Sequence, residues 1–161
     1  MIRMFLTVVG LSILAIAAVA GDEKAAELKK FQGHWRIVRM DGGQKDDSTV
    51  PQKELDKMSM EIKGNTLVLM VHESGKKVFE YETTIIIDPT KKPKAVDWII
   101  PTRIDFGSGK VKGRDVIHPG IYSFEGNQIK ICVRFPDGGG ARPKEFRAAK
   151  GSMLKILEKK K

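Results

Sequence analysis

Apolar and polar residues alternate with a period of two through most of the chain that follows residue 33. The longest run spans residues 78–87, where Phe79, Tyr81 and Ile85 are among the residues at every second position. Successive side chains of a β-strand point to opposite faces of a sheet, so this period indicates a half-buried strand. The pattern predicts eight short strands, at residues 34–40, 58–63, 66–72, 78–87, 95–100, 116–124, 128–135 and 152–159.

The connections between these strands favour an antiparallel arrangement. Gly64-Asn65 and Gly126-Asn127 are tight-turn dipeptides of the kind that join hairpin strands. Helical patterns are confined to residues 22–32 and 51–57, and residues 145–149 could extend into one more short strand. The fold class we expect is all-β, either an eight-stranded antiparallel up-and-down barrel or a sandwich. The barrel is favoured because closure leaves no exposed sheet edge.

The first twenty residues have the layout of a secretory signal. Arg3 precedes an uncharged apolar run at residues 4–19, and Ala18-Val19-Ala20 forms a small-x-small processing site. A lipoprotein signal would need a cysteine at that point, and the only cysteine is Cys132. We therefore expect export to the periplasm or the cell exterior and no transmembrane span after cleavage; an uncleaved anchor is the alternative. The predicted organisation is a signal peptide at 1–20, a helical lead-in at 21–32 and a barrel domain at 33–161.

Length and charge narrow the class of protein further. The 161 residues suit one domain, and 29 Lys+Arg against 20 Asp+Glu give a formal charge of +9. Such a charge could serve nucleic acid, an anionic envelope component or acidic ligands. Export argues against nucleic acid, and we expect a monomer. The basic residues on predicted loops and the tail are Lys91, Lys92, Lys94, Lys110, Lys112, Arg114 and Lys159–Lys161.

Several segments carry a family resemblance. Gly33-His34-Trp35 has the Gly-x-Trp signature that opens the first strand of lipocalins. The run from Asp88 to Asp97 (DPTKKPKAVD) is similar to a segment of an uncharacterised lipocalin-like domain of planctomycete bacteria. Gly120-Ile121-Tyr122 and Arg142-Pro143-x-x-Phe146 follow in the order which that domain shows. The resemblance covers residues 28 to about 159.

The resemblance implies an eight-stranded lipocalin-type barrel, and it implies no established activity, ligand or catalytic residue. It gives Gly33 and Trp35 structural roles, because the tryptophan of this signature closes one end of a lipocalin barrel beneath an arginine from a late strand. Three arginines could fill that position, namely Arg134, Arg142 and Arg147.

Residues for catalysis, metal binding or cofactor binding do not form a recognisable set. His34, His72 and His118 are scattered without a short ligand spacing, so we expect no metal site. Gly107-Ser108-Gly109-Lys110 lacks the first glycine and the final Ser/Thr of a phosphate-binding loop, so we expect no cofactor there. No group completes a catalytic arrangement. We expect no enzyme activity.

The interior of the predicted barrel supplies the candidate site. Arg39 shares the inward face of Trp35, and a buried cation needs a partner such as Asp97 or the acid group of a ligand. The alternative is that the strand ends or bulges before Arg39. We expect an exported protein that holds a small apolar or amphipathic ligand; the alternative is a filled barrel whose surface binds an envelope protein or anionic polymer. The expected lining residues are Ile37, Arg39, Met60, Leu69, Phe79, Tyr81, Trp98 and Tyr122.

Overall fold

The structure is a computed structural model that describes residues 12–42, 48–100, 115–135 and 140–160. It confirms the predicted all-β class and the short N-terminal helix. Lys110, Lys112, Arg114 and the 107–110 loop lie outside the described residues. The elements in chain order are α1 (Ser12–Phe31), β1 (Gly33–Gly42), α2 (Gln52–Leu55), β2 (Met58–Lys63), β3 (Thr66–Glu73), β4 (Lys76–Asp88), β5 (Ala95–Ile100), β6 (Val116–Glu125), β7 (Gln128–Arg134) and β8 (Ser152–Lys159).

Each strand pairs in antiparallel fashion with the next along the chain, and β8 returns to pair with β1. The result is a closed up-and-down barrel, which confirms the barrel and rejects the sandwich. We call the end where β1 begins the helix end, because α1 leads into it there. The opposite end, where β1, β3, β5 and β7 finish, is the far end.

The predicted alternation places one face of every strand inside the barrel. Trp35, Ile62 and Leu157 are almost completely buried, and so are Ile85 and Val96 of two other strands. Each large apolar side chain buried in this way contributes roughly 1.5–3 kcal/mol through removal from water. The core is therefore a direct product of the period-two pattern.

Trp35 closes the helix end. Its indole N–H donates a hydrogen bond to the carbonyl of Phe31 at 2.7 Å, and Phe31 packs edge-on against Tyr122 at 4.9 Å between ring centroids. The cation over the Trp35 ring is the ammonium of Lys159, 5.4 Å from the centroid. The expectation of an arginine there is therefore wrong: a lysine of the last strand occupies the position.

α1 is held to the barrel by a buried carboxylate. Glu27 is almost fully buried and forms ion pairs with Lys30 at 2.7 Å and Lys94 at 2.5 Å. Burial alone would raise the pKa of Glu27, but the hydrogen bonds from the two ammonium groups outweigh it and hold that pKa below its ordinary value. The predicted processing point after Ala20 falls inside this helix. No helix among the described residues is long and apolar enough to cross a membrane.

The segment after β7 covers part of the outer wall. Residues 145–149 form no strand, contrary to one expectation. Instead Phe146 and Ala148 pack on a small outward-facing cluster made of Ile121, Cys132 and Leu154. The irregular segment therefore adds a second, smaller apolar cluster outside the barrel.

Arg142 fastens the same segment to β5 and β6. Its guanidinium donates to the carbonyls of Val96 at 3.1 Å and Gly120 at 2.5 Å, and it pairs with Asp97 at 2.7 Å. At Gly120 an added Cβ would lie 2.7 Å from the carbonyl oxygen of Cys132, so no other residue fits there without movement of the backbone. The partner of Asp97 is thus Arg142.

Arg39 does not face the interior. The register of β1 against β8 shifts between Ile37 and Arg39, which is the mark of a β-bulge. One extra residue reverses the alternation, so Arg39 lies in solvent and its Nε donates to Asp41 at 2.5 Å. The expectation that Arg39 lines the barrel is wrong, and the bulge is the reason.

Candidate ligand-binding cavity

The half of the barrel nearer the far end contains a cavity of about 110 Å³. Side chains fill the half of the barrel at the helix end, whereas the side chains of the other half leave a space between them. Most wall residues are apolar, and they come from β2 to β8. The lining residues are Met60, Leu67, Leu69, Tyr81, Thr83, Trp98, Ile100, His118, Val133, Phe135, Met153 and Lys155.

Strand register explains how these residues meet. Met60 is paired with Leu69, and Leu69 is paired in turn with Tyr81 across the next ladder. Paired residues of antiparallel strands carry their side chains on the same face. On the other wall Trp98 is paired with His118, so both rings face the interior side by side. The cavity is therefore built from rigid strands.

A lysine stands among these apolar groups. Lys155 of β8 is 7% exposed, and its ammonium lies 4.4 Å from the centroid of the Trp98 ring. Burial lowers the pKa of Lys155 to about 8, because the charged form loses its hydration. Within the described ranges, no acidic side chain forms an ion pair with it.

The other polar groups of the wall differ in how well they are satisfied. The hydroxyl of Thr83 donates to the carbonyl of Ile99 at 2.8 Å, so it is already engaged. The ring of His118 stands edge-on to Phe135 at 5.5 Å. The indole nitrogen of Trp98 is buried and has no hydrogen-bond partner among the described residues. The described wall thus presents the Lys155 ammonium and the indole N–H of Trp98 to a ligand.

Four expected lining residues do line the cavity: Met60, Leu69, Tyr81 and Trp98. Ile37 and Tyr122 also face inward, but they lie in the packed core and do not border the space.

Arg39 and Phe79 are the two incorrect members of the expected lining. Phe79 is 52% exposed, because the β3–β4 hairpin continues past the barrel wall and carries Phe79 with it into solvent. Its ring stacks on that of Tyr81 at 6.4 Å, so Phe79 is a neighbour of the cavity wall only.

Sequence reasoning missed the other eight wall residues, which are Leu67, Thr83, Ile100, His118, Val133, Phe135, Met153 and Lys155. His118 shares a strand face with Tyr122, which was expected to face inward, so that signal could have found it. For residues 128–135 and 152–159 no inward face was assigned. In residues 152–159 the apolar pair Met153 and Leu157 shares a face with Lys155. The opposite face of this strand carries Leu154 and Ile156, so alternation alone does not decide whether the lysine faces the interior.

A second concave region lies outside the barrel at the helix end. It has a volume of about 720 Å³ and runs between the β4–β5 connection and the segment at Arg142. We call it the basic groove, because five cations and two carboxylates line it: Lys24, Lys91, Lys92, Arg142 and Lys144, with Asp88 and Asp97. Lys94 of the same connection is already paired with Glu27.

Metal ligands do not gather at either place. In the part of the chain that the structure describes, no three His, Cys, Asp or Glu side chains are close enough to hold a metal ion. Cys132 is buried in the outer cluster, where its thiol donates to the carbonyl of Arg147 at 3.4 Å.

Comparisons of this chain with protein-family models, with curated proteins and with solved structures gave no match. The structure shows the eight-stranded antiparallel barrel that the family resemblance implies. The narrower assignment, to the lipocalin-like domain of planctomycete bacteria, stays a prediction that rests on the sequence segments quoted above.

Proposed function

We propose that this protein is an exported binding protein that holds a small apolar or amphipathic molecule inside its barrel. The observation that carries the proposal is the cavity of about 110 Å³ with its mainly apolar wall. An eight-stranded barrel can be filled by side chains or can hold one small ligand. In this barrel, side chains fill the interior at the helix end, and the interior toward the far end has room for a ligand.

Two features support binding over simple imperfect packing. Protein interiors are close-packed, and an apolar void costs stability roughly in proportion to its volume. The space also borders a buried cation and an indole N–H that has no partner among the described residues, so its chemistry is not that of a plain packing defect. Export is supported by the signal-like segment alone.

The test is native mass spectrometry of the protein purified from its own host. We expect a retained mass of small-molecule size. The Leu69→Trp variant should lose it, because Leu69 borders the cavity and the larger ring would occupy the space. The matched control is Val68→Trp, at the next position along β3, which alternation places on the outer face. A bare polypeptide mass in the wild-type protein would contradict the proposal.

The basic groove favours a second candidate function, the binding of an anionic envelope polymer or an acidic envelope protein. Five cations against two carboxylates give its wall a positive balance. The test is salt-dependent retention on an anionic matrix, with the double variant Lys91→Glu and Lys92→Glu against the control Lys76→Glu and Lys77→Glu. Both variants change the net charge equally. Earlier elution of the groove variant alone supports this candidate, and equal elution of the two rejects it.

A further inference from the structure

Lys155 is a buried cation that has no acidic partner among the described residues. Transfer of an ammonium group out of water is costly unless it is paired. Its ammonium lies 4.4 Å from the centroid of the Trp98 ring, which offers a cation–π contact and no negative charge. An apolar residue of similar length would fit this position at lower cost, so the lysine needs another explanation.

A second donor is available at the same wall. Among the described residues the buried Trp98 N–H has no acceptor, and the Thr83 hydroxyl is committed to the Ile99 carbonyl. Buried donors in folded proteins almost always have a partner. The Trp98 N–H and the Lys155 ammonium are thus two buried donors beside one small space, and the part of the lining that the structure describes contains no acidic side chain.

We propose that the cavity binds a short-chain aliphatic monocarboxylate, of about five carbon atoms or fewer, whose two oxygens accept hydrogen bonds from Lys155 Nζ and Trp98 Nε1. This inference rests on the proposed function of the barrel as a binding site, and it names the chemical class of the ligand.

Charge and size both select this class. One ammonium group balances one negative charge, whereas a phosphate dianion would leave an excess charge in an apolar wall. A cavity of about 110 Å³ is smaller than the cavity of about 150 Å³ that accommodates benzene, so it selects a short aliphatic chain over a long one. Leu67, Leu69 and Met60 supply apolar contacts for such a chain.

The lysine carries its charge at neutral pH. Although burial lowers the pKa of Lys155 to about 8, that value keeps the amine mainly protonated at pH 7. A bound carboxylate would stabilise the protonated form further. Tyr81 and His118 are the other titratable groups of the wall, and burial raises the pKa of the Tyr81 hydroxyl, so it stays neutral.

The test compares two probes of nearly equal shape, pentanoate and its uncharged isostere pentanamide, at pH 7. Binding is followed by NMR through the two indole N–H signals, which the variants Trp98→Phe and Trp35→Phe assign. We expect pentanoate to bind at least ten-fold more tightly than pentanamide and to shift the Trp98 signal. The Trp35 signal should stay in place, because its N–H is already bonded to Phe31.

The variants separate this inference from the proposed function. Lys155→Met should remove the preference for pentanoate while pentanamide still binds, and Lys159→Met should behave as wild type. Equal binding of the two probes by the wild-type protein would overturn the carboxylate assignment and leave the proposed binding function standing. If neither probe binds, the carboxylate assignment fails, and native mass spectrometry decides the proposed function separately.

Discussion

The two ends of the barrel each contain a tryptophan with a lysine of β8 above its ring, and the two pairs differ in what surrounds them. At the helix end Lys159 lies over Trp35 at 5.4 Å, and the lysine is exposed. Toward the far end Lys155 lies over Trp98 at 4.4 Å, and the lysine is buried. The Trp35 N–H has an acceptor within the protein, whereas the Trp98 N–H has none in the described ranges.

The comparison shows that residue types alone do not separate a structural pair from a binding site. In the Trp35 pair both polar groups are satisfied, since the indole N–H bonds to the Phe31 carbonyl and the Lys159 ammonium is exposed to solvent. The Trp98 pair is incomplete, because its indole N–H has no hydrogen-bond partner and its lysine has no acidic partner among the described residues. Unsatisfied buried polar atoms, more than the tryptophan or the lysine, identify the candidate site.

Removal of each indole ring should produce the largest contrast. Trp35→Ala should lower the free energy of unfolding by roughly 4–5 kcal/mol, because it opens a cavity in a packed region and breaks the bond to Phe31. Trp98→Ala should cost about 2–3 kcal/mol, since that ring already borders empty space. Urea denaturation measures both values.

If Trp35→Ala does not fold, Trp35→Leu and Trp98→Leu give the same comparison with a smaller loss of stability, because leucine fills more of the space than alanine. Equal losses at the two positions would contradict the distinction between a packed end and a cavity end.

Removal of the buried charge should have the next largest effect, with the opposite sign. Lys155→Met should stabilise the protein at pH 7 by about 1–3 kcal/mol, since the folded pKa of about 8 lies well below the ordinary 10.5. Between pH 8 and 10.5, Lys155 of the wild-type protein binds more protons in the unfolded chain than in the folded one. The free energy of unfolding of the wild-type protein therefore rises with pH across this window, and the stability advantage of the Lys155→Met variant disappears.

Denaturation at pH 7, 8, 9 and 10 measures this effect, and Lys159→Met is the control. The exposed ammonium of Lys159 should give a small change without that pH dependence. A Lys155→Met protein that is less stable than wild type at pH 7 would show that Lys155 has a partner within the protein.

Most of the fold could be predicted from the sequence because local signals specify it. The period-two alternation identifies the eight strands, and Gly64-Asn65 and Gly126-Asn127 identify two of the hairpins. Trp35 was assigned correctly to the interior for the same reason. These features depend on neighbouring residues, which a single sequence displays.

The candidate site was only partly predictable because it depends on features that are not local. The bulge before Arg39 shifts a strand by one residue, and alternation cannot reveal such an insertion. The exposure of Phe79 depends on how far the β3–β4 hairpin extends beyond the neighbouring strands. The contact between Lys155 and Trp98 depends on closure of the barrel, because only closure brings β8 and β5 to face the same interior.

The smallest effect isolates the indole N–H from the rest of the ring. Trp35→Phe and Trp98→Phe remove similar ring area, but only the first breaks a hydrogen bond inside the protein and leaves the Phe31 carbonyl without its donor. We expect Trp35→Phe to cost about 1–2 kcal/mol more than Trp98→Phe in the absence of ligand. Saturating pentanoate should narrow that gap, because the wild-type protein and the Trp35 variant keep the full donor pair and gain binding free energy that the Trp98 variant partly loses. A gap that does not respond to pentanoate would mean that the Trp98 N–H takes no part in binding.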